Sequence, residues 1–258
     1  MRSIDVSPRR IVTVLAAAVI FLVIASSAGQ FSTYVLGHGY VFGLVNLFSL
    51  DREGNVPTWF SASLLLACAF LLSIITLVRR MDSDRWWRYW CGLAVIFLYL
   101  SMDEAASIHE LTITPVRNLL DVGGIFHWAW VIPGMIFVAA IGLTYFKFVL
   151  SLPRRTRTLF VVAAAVFLGG ALGVEMAGAA WFEEFGRRNL GYVTFWTAEE
   201  ALDMAGLVIF VYALLRYIES EIGKPRMIFQ APASGGTVPG RGISAGQEAG
   251  YAQLEASQ

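Results

Sequence analysis

Six stretches of the chain are apolar for about the length of a membrane-crossing helix. They cover residues 11–34, 59–78, 89–111, 128–150, 159–181 and 193–217. At ~1.5 Å of rise per residue, each can cross ~30 Å of hydrocarbon as a helix. The sequence lacks the ten-residue blocks of alternating apolar and polar positions that a membrane β-barrel requires. The pattern therefore predicts an all-α, polytopic membrane protein built as a six-helix transmembrane bundle.

The composition agrees with a membrane protein. Hydrophobic residues make up 57% of the chain and charged residues only 15%, against about a quarter charged in soluble proteins. The lipid bilayer is thus the expected surrounding. A formal net charge of zero gives no overall field to attract nucleic acid, so we expect no nucleic-acid partner.

The distribution of Lys and Arg predicts the orientation of the bundle. Fifteen of them lie in the two terminal segments, in the connections after the second and fourth stretches, or within the last few residues of the adjoining stretch. The other connections contain only Arg52, Arg117, Arg187 and Arg188. Because positively charged loops stay in the cytoplasm, both termini should be cytoplasmic in a cell inner (plasma) membrane.

The chain divides into three predicted regions. Residues 1–10 form a cytoplasmic N-terminus, and residues 11–224 form the six-span domain. Residues 225–258 are rich in Gly, Ala, Ser, Pro and Gln, a composition that predicts a disordered cytoplasmic tail.

A stripe of small residues recurs every four positions in the fifth stretch, at Ala165, Gly169, Gly173 and Ala177. Small residues let another helix approach closely within a membrane. We expect this stripe to serve packing inside the chain, and a homodimer formed through it is the alternative.

Ionisable residues within the apolar stretches are the main functional signal. On insertion scales, each costs roughly 2.5–3.5 kcal/mol at the centre of a membrane helix. We therefore expect these residues to have a structural or functional role. The residues concerned are Asp103, Glu104, His109, Glu110, Glu175, Glu199, Glu200 and Asp203.

Helix direction places these residues in the same half of the membrane. Counted from the cytoplasmic end, Asp103 lies ~21 Å along the third helix and Glu175 ~24 Å along the fifth. Asp103, Ser107 and Glu110 share one face of an ideal helix, whereas His109 points about 120° away from Asp103. The sequence therefore predicts one outward-facing site of carboxylates, with His109 less firmly placed in it.

The carboxylates need a counter-charge, because Lys and Arg are missing at that depth. Protons or a divalent metal ion are the remaining candidates. We expect Asp103, His109, Glu110, Glu175, Glu199 and Asp203 to be the metal ligands. Zinc, manganese or iron is favoured if His109 ligates. Glu104 and Glu200 are the candidate catalytic residues, since a spare carboxylate can act as general base in a hydrolase-like membrane enzyme.

Two other functions remain open. Intramembrane acids are equally natural in a proton- or cation-coupled transporter of small solutes. A polar network that only fixes helix packing is the second alternative. The apolar cytoplasmic half and the absence of an obvious broken helix favour an enzyme or a metal-binding protein over the transporter.

The intramembrane motifs carry a resemblance. Asp103-Glu104 followed by His109-Glu110, with Glu199-Glu200 in the sixth stretch, resembles a group of uncharacterised bacterial multi-pass inner-membrane proteins, which implies no activity. The chain is similar to alkaline ceramidases and related metal hydrolases only in that a metal ion could bind between its membrane helices. Their His-x-x-x-His signature is missing. The Glu-Glu-x-x-x-Arg pattern of intramembrane prenyl-type proteases is missing too.

Overall fold

The structure of the chain, a computed structural model, describes residues 7–223 and contains helices and loops but no strand within that range. The proposed N-terminal segment lies mostly, and the proposed tail wholly, outside the described residues. The α-helices are α1 Pro8–Tyr34, α2 Leu44–Leu47, α3 Val56–Met81, α4 Trp87–Ala106, α5 Ile113–Leu120, α6 Val131–Ser151, α7 Arg154–Leu168, α8 Glu175–Phe185 and α9 Leu190–Tyr217.

Five helical stretches are long and apolar enough to cross a membrane, counting α7 to α8 as one stretch. A sixth is obtained if α4 and the bent segment His109–Leu120 are counted together. The all-α class is confirmed, and the number of candidate spans is five or six. These helices indicate a membrane protein, whereas the location of each terminus stays a prediction.

The bundle has two chemically distinct ends. We call the acidic end the one that carries the loops 35–55, 107–130 and 186–189, and the basic end the one that carries the loops 82–86 and 152–153. At the acidic end, the Trp196 indole donates to the Leu50 carbonyl over 2.6 Å, and Arg187 pairs with Asp51 at 3.2 Å. At the basic end, Arg79 Nε donates to the Tyr217 hydroxyl over 3.0 Å.

Helix α9 is the central helix of the fold and packs against α1, α3 and α7. It buries residues along most of its length, including Met204, Leu207 and Leu214. The approach of α7 depends on Gly206, because a Cβ there would lie 2.7 Å from the Phe167 backbone nitrogen. An aromatic core around the fully buried Trp90, with Phe148, Phe160 and Tyr217, fills the basic end.

The third apolar stretch is not one straight helix, so the prediction of a helix through residue 111 is wrong. Helix α4 ends at Ala106, Ser107 takes a left-handed conformation with φ 52°, and the chain bends by 77°. The cause is local: the Asp103 side chain accepts the His109 backbone N–H at 2.7 Å. An Asp side chain that binds nearby backbone donors offers the chain an alternative to further helix.

The small-residue stripe does not pack within the described chain, so that expectation is wrong as well. Ala165, Gly169, Gly173 and Ala177 are all exposed, and a Cβ at either glycine would meet nothing within 4 Å. The reason is a π-helical segment at Gly169–Val174, which widens the turn and changes which residues face α9. Gly170 is the glycine that packs there.

Candidate functional site: an acidic cluster between the helices

The bent end of α4 joins two of the predicted site residues directly. His109 Nδ1 lies 3.0 Å from Asp103 Oδ2, and the His109 backbone N–H donates to Asp103 Oδ1. An ionised Asp103 therefore accepts the Nδ1 proton and leaves Nε2 as the free ring nitrogen. The predicted 120° separation is wrong because the chain turns back at Ser107. With both carboxylate oxygens engaged by His109, Asp103 orients the imidazole.

Trp130 connects this pair to the fifth span. Its ring packs against the His109 imidazole, with the ring centroids 4.7 Å apart. Its indole N–H donates to Glu175 Oε1 over 2.9 Å. Trp130, at the start of α6, thus links α4 to α8 through contacts on two sides of one indole.

Glu175 and Glu199 form the most buried part of the site. They are 5% and 9% exposed, and their carboxyl groups lie side by side, close enough for one proton to join them. Two ionised carboxylates at that range repel each other strongly in a site removed from water. This pair therefore needs a shared proton or a cation.

Asp203 meets the π-helical segment between α7 and α8. The ideal Cβ position of Gly170 lies only 2.2 Å from Asp203 Oδ1, so only glycine leaves room for the carboxylate. The Ala171 backbone N–H lies near the same carboxylate. Asp203 Oδ1 is nevertheless buried without a hydrogen-bond partner among the described residues. A buried, unpartnered carboxylate oxygen is costly unless a ligand or a proton satisfies it.

Glu104 and Glu200 complete the site from α4 and α9. Glu200 lies within electrostatic range of Glu104, Asp203, Glu175 and also Glu53. The structure thus brings seven of the predicted residues together. We call them the acidic cluster: Asp103, Glu104, His109, Glu175, Glu199, Glu200 and Asp203.

The acidic cluster has no basic partner apart from His109. The charged groups that act on Glu104, Glu199, Glu200 and Asp203 are other carboxylates and His109. No arginine is among those groups: Arg117 donates to the His127 carbonyl, and Arg187 pairs with Asp51. The site therefore has an excess of negative charge, unless protons or a cation offset it.

The predicted ligand Glu110 and the two remaining histidines lie outside the cluster. Glu110 is exposed beyond the bend, within electrostatic range of Glu53. His127 belongs to a separate contact with Glu183, with Nδ1 and the carboxylate 3.6 Å apart. Burial and the charge of Arg117 lower the pKa of His127, while Glu183 opposes that shift. His38 is exposed in the loop after α1.

The ligand geometry of a metal site is not preformed. Within residues 7–223, no three His, Cys, Asp or Glu side chains are placed as ligands of one metal ion. A cation would have to draw a third ligand toward the Glu175–Glu199 pair by changes of side-chain rotamer. The donor types fit a divalent cation, since carboxylates and one free imidazole nitrogen are common ligands of such ions.

Sequence reasoning missed three participants. Glu53 lies exposed in the loop before α3, within electrostatic range of Glu104 and Glu200. The available signal was its place in a polar loop at the same end as the acids. Trp130 was missed because its distance along the chain from Asp103 and Glu175 concealed the contact. Gly170 was overlooked because the regular spacing pointed to Gly169 and Gly173.

Glu53 supplies a pH-dependent prediction. Partial loss of hydration raises its pKa, Glu110 and Asp103 raise it further, and His109 opposes them. A raised pKa in the fold means that ionised Glu53 is destabilising, and that stability is gained as the pH falls through the folded pKa. We expect Glu53→Gln to raise the melting temperature in detergent at pH 7–8. The gain should shrink as the pH falls and vanish well below pH 4, where wild-type Glu53 is protonated in both states. An equal gain from Glu184→Gln, an exposed carboxylate outside the cluster, would contradict this account.

The fold and the site define a class: a helical membrane protein with an acid-rich cluster between its spans. A family model described as Domain of unknown function (DUF8692) matches residues 8–218. The chain therefore belongs to that family. Comparison with curated proteins gives no match, and neither does comparison with solved structures.

Proposed function

We propose that the protein is a membrane enzyme, hydrolase-like in its chemistry, that binds a divalent cation in the acidic cluster. The observation that carries the proposal is Asp203 Oδ1, which is buried without a partner among carboxylates that lack a basic neighbour. A cation bound there satisfies this oxygen and offsets the repulsion between Asp203, Glu199 and Glu200. Carboxylates that are paired with a cation can be retained at membrane depth, where unpaired charges are expensive.

The remaining residues have distinct roles in this proposal. Glu175, Glu199 and Asp203 hold the cation from α8 and α9. His109 offers Nε2 either to the cation or to a reacting proton, because Asp103 fixes the ring through Nδ1. Glu104 and Glu200, less buried than Glu199, are placed to act as general base toward a water molecule or a substrate hydroxyl.

The apolar packing of the basic end supports an enzyme rather than a transporter. The buried rings of Trp90, Phe148 and Phe160 fill the basic end of the bundle, and no polar residue of the cluster lies on that side. An enzyme needs one opening, whereas a transporter must open its site to both sides in turn.

Transport coupled to protons or cations is the second candidate, favoured by a different observation. The Glu175–Glu199 pair is buried, and it lies beside a π-helical segment and a span that bends by 77°. Broken spans around intramembrane acids are typical of transporters. Counterflow of a solute in sealed vesicles would favour this candidate over the enzyme.

Cation titration tests the proposal. Purified protein in detergent should bind Mn²⁺ saturably, with about one ion per chain, as measured by calorimetry and elemental analysis. Asp103→Asn should weaken binding about 10–100-fold, since it removes the partner that orients a ligating histidine. Glu110→Gln serves as the matched control and should bind like the wild type. If all three proteins bind no Mn²⁺, a network of protonated acids that fixes packing becomes the better account.

The orientation of the bundle in the membrane is also a proposal. We propose an inner-membrane protein with both termini in the cytoplasm, supported by the excess of Lys and Arg at the basic end. Reporter fusions after Glu53, Asp121 and Arg188 should then report the periplasm, and fusions after Arg85 and Arg155 the cytoplasm. A periplasmic signal from the last two would reverse the orientation of the acidic cluster.

The exposed small-residue stripe supports a homodimer formed through α7 and α8. Cysteine at Gly173 should give a disulfide-linked dimer in native membranes, because small-residue faces allow close helix approach. Cysteine at Leu143, on the exposed face of α6, is the control. Equal cross-linking at both positions would indicate random collisions.

A further inference from the structure

An apolar groove runs along the bundle next to the acidic cluster. It has a volume of about 380 Å³ and is walled by α4, α6, α7 and α9. That volume lies within the range of small-molecule binding pockets. Its walls are apolar, the Tyr145 hydroxyl being the main polar group, and they include Leu100, Phe137, Phe146, Val161, Phe167 and Leu207.

One end of the groove reaches the acidic cluster. Leu100 lies one helical turn before Glu104 on α4, and Leu207 lies one turn after Asp203 on α9. Phe167 comes three residues before Gly170, whose Cα is in contact range of Asp203. Three walls of the groove thus come within about 6 Å, measured along the helix, of a cluster residue or of the glycine that contacts Asp203.

The other end of the groove contains Tyr145. Tyr145 lies against Gly92 so closely that a Cβ on that glycine would be 2.1 Å from the Tyr145 hydroxyl. The Tyr145 ring also packs on Tyr89 and Phe148, with centroids 5.4 and 5.9 Å apart. Tyr145 therefore narrows the groove toward the basic end.

The side of the groove opens to the surroundings of the bundle. Helix α6 buries only Val131 and Phe148, so it is loosely held against its neighbours. Phe146 and Val161 line the groove and are themselves 62% and 55% exposed. Because α6 and α7 belong to apolar spans, the molecules that reach this opening are the hydrocarbon chains of lipids.

We propose that the groove binds the hydrocarbon chain of a membrane amphiphile and places its polar head in the acidic cluster. The inference rests on the proposed function and names its substrate class: a lipid with one chain seated between α4, α6, α7 and α9. From Phe137 to Val149 the α6 wall is about 18 Å long, which covers more than half of a ~30 Å hydrocarbon core. The head group is one that carboxylates or their cation can bind, such as a hydroxyl or a phosphate.

Photolabelling tests this site in the full-length protein. The protein is reconstituted in phosphatidylcholine vesicles that contain a long-chain alcohol with a diazirine in its chain, over a range of low mole fractions. We expect labelling of Phe146 and Val161 to saturate, and labelling of Ile136 and Leu143, which face outward, to rise in proportion to the probe. Proportional labelling at all four positions would show ordinary lipid contact and overturn the proposal.

Two substitutions that fill the groove sharpen the test. Gly142 lines the groove and has open space around its Cβ position. We therefore expect Gly142→Leu to lower the saturable labelling at least about tenfold. Ala164, which lines the groove from α7, should give the same result when replaced by leucine, as Ala164→Leu. Leu143→Phe adds bulk on the outer face of α6 and should change nothing. Saturable labelling that survives both filling substitutions would contradict the groove as the site.

A parallel Mn²⁺ titration separates this inference from the proposed function. Gly142→Leu should keep wild-type Mn²⁺ affinity, because the substitution lies away from the carboxylates. Wild-type protein that shows saturable labelling but binds no Mn²⁺ would support the groove and contradict the cation site. Mn²⁺ binding with proportional labelling would contradict the groove and leave the cation site in place.

Discussion

Replacing two carboxylates of the acidic cluster should abolish cation binding without unfolding the protein. The double variant Glu199→Gln, Asp203→Asn keeps the shape of both side chains but removes two of the proposed ligands. Loss of an orienting partner alone costs about 10–100-fold in metal affinity, so loss of two ligands should cost more than about 100-fold. Mn²⁺ titration of the purified variant measures this loss.

The same variant should be at least as stable as the wild type in the absence of cations. Glu199 and Asp203 repel neighbouring carboxylates, and the neutral amides remove that repulsion. Thermal unfolding in detergent containing a chelator checks this expectation. Asp121→Asn with Glu184→Gln, which removes two carboxylates from exposed positions, is the matched control and should keep full Mn²⁺ affinity. Wild-type affinity in the cluster variant would contradict the assignment of the ligands.

Gly170→Ala should damage both the fold and the site. The added Cβ would lie 2.2 Å from Asp203 Oδ1, 2.8 Å from the Glu199 carbonyl and 3.0 Å from Leu202 Cβ. Overpacking of this kind costs about 1–3 kcal/mol, and α9 or the Asp203 side chain would have to move. We expect a lower melting temperature together with weakened Mn²⁺ binding.

The neighbouring glycine provides a matched control for this substitution. Gly169 has a helical φ of −65° and nothing within 4 Å of its Cβ position. Gly169→Ala should therefore be neutral or stabilising by up to about 1 kcal/mol, since alanine loses less backbone freedom than glycine in a helix. Equal destabilisation by the two substitutions would mean that the close contact of Gly170 with Asp203 is not what matters.

The helical class and the convergence of the acids could be predicted from the sequence. Hydropathy over about 20 residues identifies membrane helices because each backbone polar group must be satisfied within its own helix. Alternating helix direction then puts Asp103, Glu175 and Glu199 in the same half of the bundle. Both steps use only helix geometry, which holds over most of this chain.

The details that shape the site could not be predicted in the same way. His109 reaches Asp103 only because Ser107 takes a left-handed conformation, which non-glycine residues rarely adopt. The π-helical segment at Gly169–Val174 shifts the facing of later residues, so regular spacing pointed to the wrong glycines. Glu53 lies in a loop, where no periodicity indicates direction. In each case a local departure from the ideal helix decides the contact.

Anomalous scattering from Mn²⁺ in crystals of the protein tests the cation site most directly. The account predicts one anomalous peak inside the acidic cluster, about 2.0–2.5 Å from Asp203 Oδ1, with oxygens of Glu199 or Glu200 in its coordination sphere. Crystals grown at saturating Mn²⁺ that show no peak within reach of Asp203, or a peak only at surface carboxylates such as Glu184, would contradict it.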